Sequence, residues 1–446
     1  MERPPPRRES KLSRRRLLQG AAVGAASLCL PEPAWSARGS DVPVHPGADA
    51  GSRDRPAEAP DAPLSLPTWA YGDRSAATDT VVMFRGNPSH TFYGTGPVPD
   101  RPRVLWSVRM IDMPKSYYGK PHTWRGTGWT GQASVLGDVV FIGSQGGSLY
   151  ALDKESGAIR WRYAAGAMFK SSVCLYRDRL YVGNVDDWLR CIDLATGRVV
   201  WRLDTGRDLD SSACVEGGWL YIAGENGHVR CLHPDTGALR WRTFVGGLSP
   251  GEHTGSYGSE TSPAVADGEV YTGTYDGWLH CIDAEYGTRR WRAFTGDDTD
   301  ASPVIWQDRV FAASQDKAPY VHCFDRITGE RLWQFHVVGG FWATPAVADE
   351  RVYAASAGGT IHSLDAGTGR LHWTHELGVR TWSSPCVIED RVVLGASDGR
   401  LHCLDAATGE TVWALELDAR THSTPCIVDG RIYIGTAGGT FYCIGA

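Results

Sequence analysis

Three acidic residues at matched positions offer the first chemistry in this sequence. Asp210, Glu260 and Asp300 each stand directly before a two-residue step of small residues ending in Ser: Ser211-Ser212, Thr261-Ser262 and Ala301-Ser302. The same place in other copies of the motif holds Thr130, Lys170, Trp342, Trp382 and His422. Structural positions in a repeat stay constant, and this one does not. Converging carboxylates can hold a hard cation through oxygen ligands. The expected metal set is therefore Asp210, Glu260 and Asp300. Thr130, Lys170, Trp342, Trp382 and His422 would form a polar and aromatic lining for a bound cofactor. The bland alternative is a ring of solvated positions that drift freely.

A second pattern pairs cysteine with histidine. His280, His322, His362 and His402 each precede the column that holds Cys281, Cys323, Ser363 and Cys403. Adjacent residues of a strand point to opposite faces, so each pair is split between two packing layers and metal binding there is not expected. Tyr150 and Tyr442 fill the same column as the histidines, which suits a flat, half-polar filler.

These residues are positioned by a repeat. The phrase LHCLDAATGETVW (Leu401–Trp413) returns as LYALDKESGAIRW, LRCIDLATGRVVW, LHCIDAEYGTRRW, VHCFDRITGERLW and IHSLDAGTGRLHW. VRCLHPDTGALRW keeps the spacing but has His233 in place of the Asp. The tryptophans at 106, 161, 201, 241, 291, 333, 373 and 413 are separated by 55, 40, 40, 50, 42, 40 and 40 residues. Between them run short alternating segments such as RVVLGAS and RIYIGTA, which have the period and β-branched content of strands. Four antiparallel strands per forty residues is a propeller-blade signature. The Asp accepts backbone N–H groups across a turn, Thr-Gly makes the turn, and the Trp covers the neighbouring blade. The predicted fold is all-β: an eight-bladed propeller of four-stranded antiparallel blades. Its last blade, Thr421–Ile444, is completed by RPRVLWSV (Arg101–Val108) and its orphan Trp106.

This phrase resembles the repeat of the pyrroloquinoline-quinone (PQQ)-like β-propellers, and MFRGNPSHTFYGTGP (Met83–Pro97) resembles their lead-in. The resemblance covers about Phe84 to Ala446. It implies either a quinone-dependent oxidoreductase of alcohols or sugars or a non-enzymatic binding propeller, such as the propeller subunit of the outer-membrane barrel-assembly machinery. For the oxidoreductase it implies PQQ in the channel mouth, calcium held by acids, and an acidic base; Asp210, Glu260 and Asp300 are the acids available. Against it, the adjacent cysteine pair of the alcohol dehydrogenases and any Cys-x-x-Cys-His haem site are absent from the sequence.

Two linking loops depart from the repeat, and loops on a rigid scaffold carry function. Arg109–Gly131 brings Tyr117, Tyr118, His122, Trp124, Arg125 and Trp129; Gly246–Glu260 brings His253 and Tyr257. Both leave the same face as the acid column. The main expectation is a scaffold that binds a protein, glycan or small-molecule ligand through this face.

The first 36 residues hold seven Lys/Arg and three Glu, with Arg14-Arg15-Arg16, an apolar run to Leu30 and the small residues Ala34-Trp35-Ser36. This is the layout of a twin-arginine-type export signal, implying a periplasmic or extracellular protein with no transmembrane span in its mature chain. Residues 37–66, rich in Pro and Ala, read as a disordered linker before a propeller over 67–446. With a formal charge of -6 for the whole chain, the part after the signal is more acidic still, and nucleic acid is excluded as a partner. The chain has eleven cysteines. Ten fall on first and third strands of blades, separated by about 9–10 Å where a disulfide needs about 7 Å or less. Most are expected to be buried free thiols. Thiol labelling of the denatured protein without reductant is expected to reach nearly all ten; labelling of few would mean disulfides.

Overall fold

Eight sheets of antiparallel strands follow one another around a ring. In the second blade, Cys174–Tyr176, Arg179–Gly183, Trp188–Asp193 and Val199–Asp204 pair in chain order, and six other blades repeat the pattern. The eighth is the exception. Arg103–Arg109 pairs with Thr440–Gly445, bringing Trp106 opposite Cys443 and Ser107 opposite Tyr442. The computed structural model describes residues 80–446 apart from 118–119, 128–130 and 248–257, together with the short strands His45–Pro46 and Arg55–Glu58.

The repeated phrase is a docking device. Asp405 accepts the backbone N–H groups of Ala407 and Thr408 and the Thr408 hydroxyl at 2.8–3.0 Å, which closes the turn. Gly409 then takes a φ of 77°, and the ring of Trp373 from the preceding blade lies against it. The Trp373 indole N–H donates to the Ala406 carbonyl, the residue after the Asp, at 3.1 Å. The same bond joins Trp106 to Lys154, Trp161 to Leu194, Trp201 to Pro234, Trp241 to Ala284, Trp291 to Arg326 and Trp333 to Ala366. His233, where the Asp is missing, accepts the Asp235 N–H through its ring at 3.3 Å. Trp413 is the odd one: its buried N–H has no hydrogen-bond partner. The eighth blade draws its third and fourth strands from opposite ends of the propeller segment, so no such turn exists there.

An inner belt ties the blades together at the channel. The Ser172 hydroxyl accepts the Gln132 N–H, Ser212 that of Ser172, Ser262 that of Ser212, and Ser302 that of Ser262. Thr344 and Ser384 carry the chain on, with all six bonds at 2.8–3.0 Å. A bridge between Gln132 and Thr424 helps close the circuit. Below this belt the segment Thr80–Pro97 crosses the ring. Its backbone bonds the first strands of blades one, two, four, five and eight at Val135, Leu175, Val265, Ile305 and Ile427. The fully buried Arg85 spans the axis, donating to the carbonyls of Thr344, Pro345 and Pro385.

The ten cysteines between 174 and 443 are buried and free. Burial pushes the Cys191 thiol beyond the ordinary range and the Cys386 thiol up to about 11. Within the expected linker, His45–Pro46 and Arg55–Glu58 each pair as a fifth strand on the outer edge of a blade, the second and the first respectively. The rest of residues 37–66 and the whole export signal lie outside the described residues.

Gly409→Ala would put a Cβ 2.6 Å from the Trp373 ring at a φ of 77°. It is expected to cost about 2–4 kcal/mol, backbone strain plus overpacking. Gly206→Ala has the same φ and nothing within 4 Å, so only the strain of about 1–2 kcal/mol is expected. Urea unfolding of the two variants checks the difference.

Candidate functional site

The fourth-strand-to-first-strand links and the turns between second and third strands share one face. In seven of the eight blades the second residue of that turn donates its N–H to the link two residues before the varying column. Glu225 bonds to Asp208, Tyr275 to Gly258 and Gln315 to Asp298. Two interleaved columns therefore line the channel mouth.

The first half of the mouth is acidic. Oxygens of Asp210, Glu225 and Glu260 lie within 4.8 Å of one another. Lys170 reaches across and its ammonium donates to Asp210 Oδ2, while Asp210 Oδ1 is buried without a hydrogen-bond partner. Burial drives the Asp210 carboxyl up to about 7 against the pull of Lys170. Burial, then Asp210 and Glu260, raise Glu225 to about 8. Next along the arc, Asp300 accepts from Gln315 Nε2. Burial and the neighbouring Asp298 hold Asp300 well above the carboxylate range, and burial followed by Glu260 raises Asp298 to about 8. Tyr275 is packed among these groups; burial and the acids push its phenol up. The other half is aromatic. Trp342 meets Trp382 edge to face, centroids 5.0 Å apart at 76°, and Trp382 lies 4.4 Å from the His422 ring at 32°. Burial lowers His422 to about 4.

The structure thus brings together Lys170, Asp210 and Glu260, and separately Trp342, Trp382 and His422. Asp300 is not one of the three converging acids. Glu225, Tyr275, Asp298 and Gln315 were missed by sequence reasoning. Their signal was there: the second turn residue reads Gln145, Val185, Glu225, Tyr275, Gln315, Ala357, Ser397 and Ala437, as variable as the column already noted. Thr130, Trp129, Tyr118, His253 and Tyr257 lie outside the described residues.

The Arg109–Gly131 insertion forms a β-hairpin, Met113–Tyr117 paired with Lys120–Trp124. Tyr117 stands in its first strand. His122 is exposed and packs edge-on to Trp124 at 4.4 Å, and Arg125 pairs with Asp112 at 3.0 Å. Both feet are fixed: the Ile111 N–H donates to the Tyr150 hydroxyl at 3.0 Å, and the Gln145 N–H to the Gly126 carbonyl at 2.7 Å.

The family model described as outer membrane protein assembly factor BamB matches residues 99–207, 185–315 and 317–444. The chain belongs to this family. Among solved structures, BamB from Moraxella catarrhalis superposes with a TM-score of 0.62 at 20% identity, covering 78% of this chain and all of that one. The quinohemoprotein alcohol dehydrogenase ADHIIG from Pseudomonas putida HK5 gives 0.69 at 16% identity over 86% of this chain and 83% of its own. At such identities the likeness is one of fold. A polyvinylalcohol dehydrogenase of Pseudomonas sp is 32% identical over 111 residues, 25% of this chain. The match spans only 14% of that protein's length.

A quinohemoprotein enzyme shares this fold, so the fit of calcium and PQQ is a question of residues. Asp210, Glu225 and Glu260 are the right donors for a hard cation, but the Lys170 ammonium is paired with one of them. The two tryptophans stand edge to face and offer no pair of parallel faces to a planar quinone. Among the described residues the arrangement does not fit the calcium–quinone pair. Among the described residues no helix is long and apolar enough to cross a membrane.

Asp210, Glu225 and Asp298 have folded values near 7 or 8, above the unfolded ones, so the native state holds more protons. Their contribution is fully present below about pH 4 and is lost as pH rises through about 8. Thermal unfolding is expected at lower temperature at pH 8.5 than at pH 6, and Glu225→Gln should reduce that drop.

Proposed function

We propose that this chain is an exported binding propeller that engages a protein partner through its channel-mouth face, with the Met113–Trp124 hairpin as the recognition element. The observation that carries the reading is the contrast between the two faces. The turns of the opposite face repeat one motif, while the mouth face carries the hairpin, the acidic arc and the aromatic arc. The hairpin is anchored at both feet to blade one, so presenting its aromatic and cationic residues costs little ordering on binding. His, Trp and Arg side chains of this kind are suited to interface anchors. A glycan or small molecule would meet the same face at the mouth itself. The match to a family described by an assembly factor agrees with a protein partner. Residues 1–36 would serve as a twin-arginine-type signal, placing the folded propeller in the periplasm or outside the cell.

A photo-crosslinking residue at His122 is expected to trap a discrete partner in the producing cells, while one at the exposed Ala407 on the opposite face traps none. Equal trapping at both sites, or none at His122, would end this reading. The purified protein incubated with PQQ and calcium is expected to reduce no dye with alcohols or sugars; turnover would move the assignment to an oxidoreductase.

A further inference from the structure

The three-carboxylate pocket is a cation site by its donors, and the chain brings its own cation. Lys170 comes from the second blade, Asp210 and Glu225 from the third, and Glu260 leads into the fourth. The Lys170 ammonium bonds Asp210 Oδ2, one of the three carboxylates whose oxygens converge within 4.8 Å. The Asp210 side chain is only 4% exposed, and its Oδ1 points to no donor. A buried carboxylate oxygen left without a partner marks unused capacity for a ligand. We infer that Lys170 is the resident cation of this pocket, standing where the family resemblance implies a metal ion, and that Asp210, Glu225 and Glu260 become a divalent-cation site only when its ammonium is removed.

The physical reason is competition for the same oxygens. A tethered ammonium has no translational freedom to lose on binding, whereas a free ion must shed water and find an oxygen already taken. Deleting the ammonium leaves three converging carboxylates and the orphan Oδ1. The inference does not depend on the partner-binding reading, because a propeller of either kind could carry this pocket.

Three proteins test it at pH 7.5 by calcium calorimetry and by terbium luminescence: the wild type, Lys170→Met, and Lys170→Met with Glu225→Gln. The wild type is expected to show no saturable binding up to about 1 mM, as a site whose oxygens are occupied would. Lys170→Met is expected to bind at least tenfold more tightly than the wild type, and the double variant to lose that gain. Wild-type binding as tight as that of Lys170→Met would overturn the inference, as would a folded Lys170→Met that binds no ion. If Lys170→Met does not fold, acetylation of Lys170 in the wild type, followed by mass spectrometry, gives the answer. Labelling unchanged by millimolar calcium supports the resident ammonium; labelling accelerated by calcium shows that the metal displaces it and sinks the proposal.

Discussion

At six of the eight junctions one blade is held to the next by an indole lying on a glycine. A blade by itself leaves two apolar faces wet, and the ring buries both. The Trp ring covers the following blade while its N–H fixes the register on a turn carbonyl, so area and direction are supplied by one side chain. The glycine is required twice over, for its positive φ and for the absence of a Cβ beneath the ring. The Asp and Thr of the phrase set the turn that presents both. The hydroxyl belt then does at the channel what the tryptophans do further out. Each of its bonds contributes about 0.5–1.5 kcal/mol, but together they set the positions from which the mouth residues project.

That rigid inner ring explains how buried charge can be tolerated at the mouth. Lys170, Asp210, Glu225 and Glu260 come from different links and turns, yet each is fixed within two residues of a belt or ladder bond. Leaving carboxylates poorly solvated is costly, and the shifts of Asp210, Glu225 and Asp298 toward their neutral forms register that cost. A pocket maintained against such a cost is a better candidate for function than an exposed acidic patch.

Much of the fold was legible in the sequence because its determinants are periodic. The spacing of eight tryptophans gave the number of blades, and the lone Trp106 gave the pairing of the two ends, observed opposite Cys443. The varying column before the belt pointed to the mouth. Glu225 escaped because it belongs to a second column that meets the first only in three dimensions. The hairpin escaped because KSYYGKPHTW shows no clean alternation, and the crossing of the ring by Arg85 because a single non-repeated segment has no period to betray it. Asp300, in register with Asp210 and Glu260, turned toward Asp298 and Gln315 instead; sequence register specifies a height in the ring, not a direction.

The shared eighth blade sets this architecture apart from open arrays of repeats. In a solenoid each unit touches only its neighbours, so units can be lost from an end and the remainder persists. Here the strand that carries Trp106 is also the one that completes the sheet of Tyr442. Removing a unit from either side strands the other, so the molecule has no shorter version of itself and must form or melt as a whole.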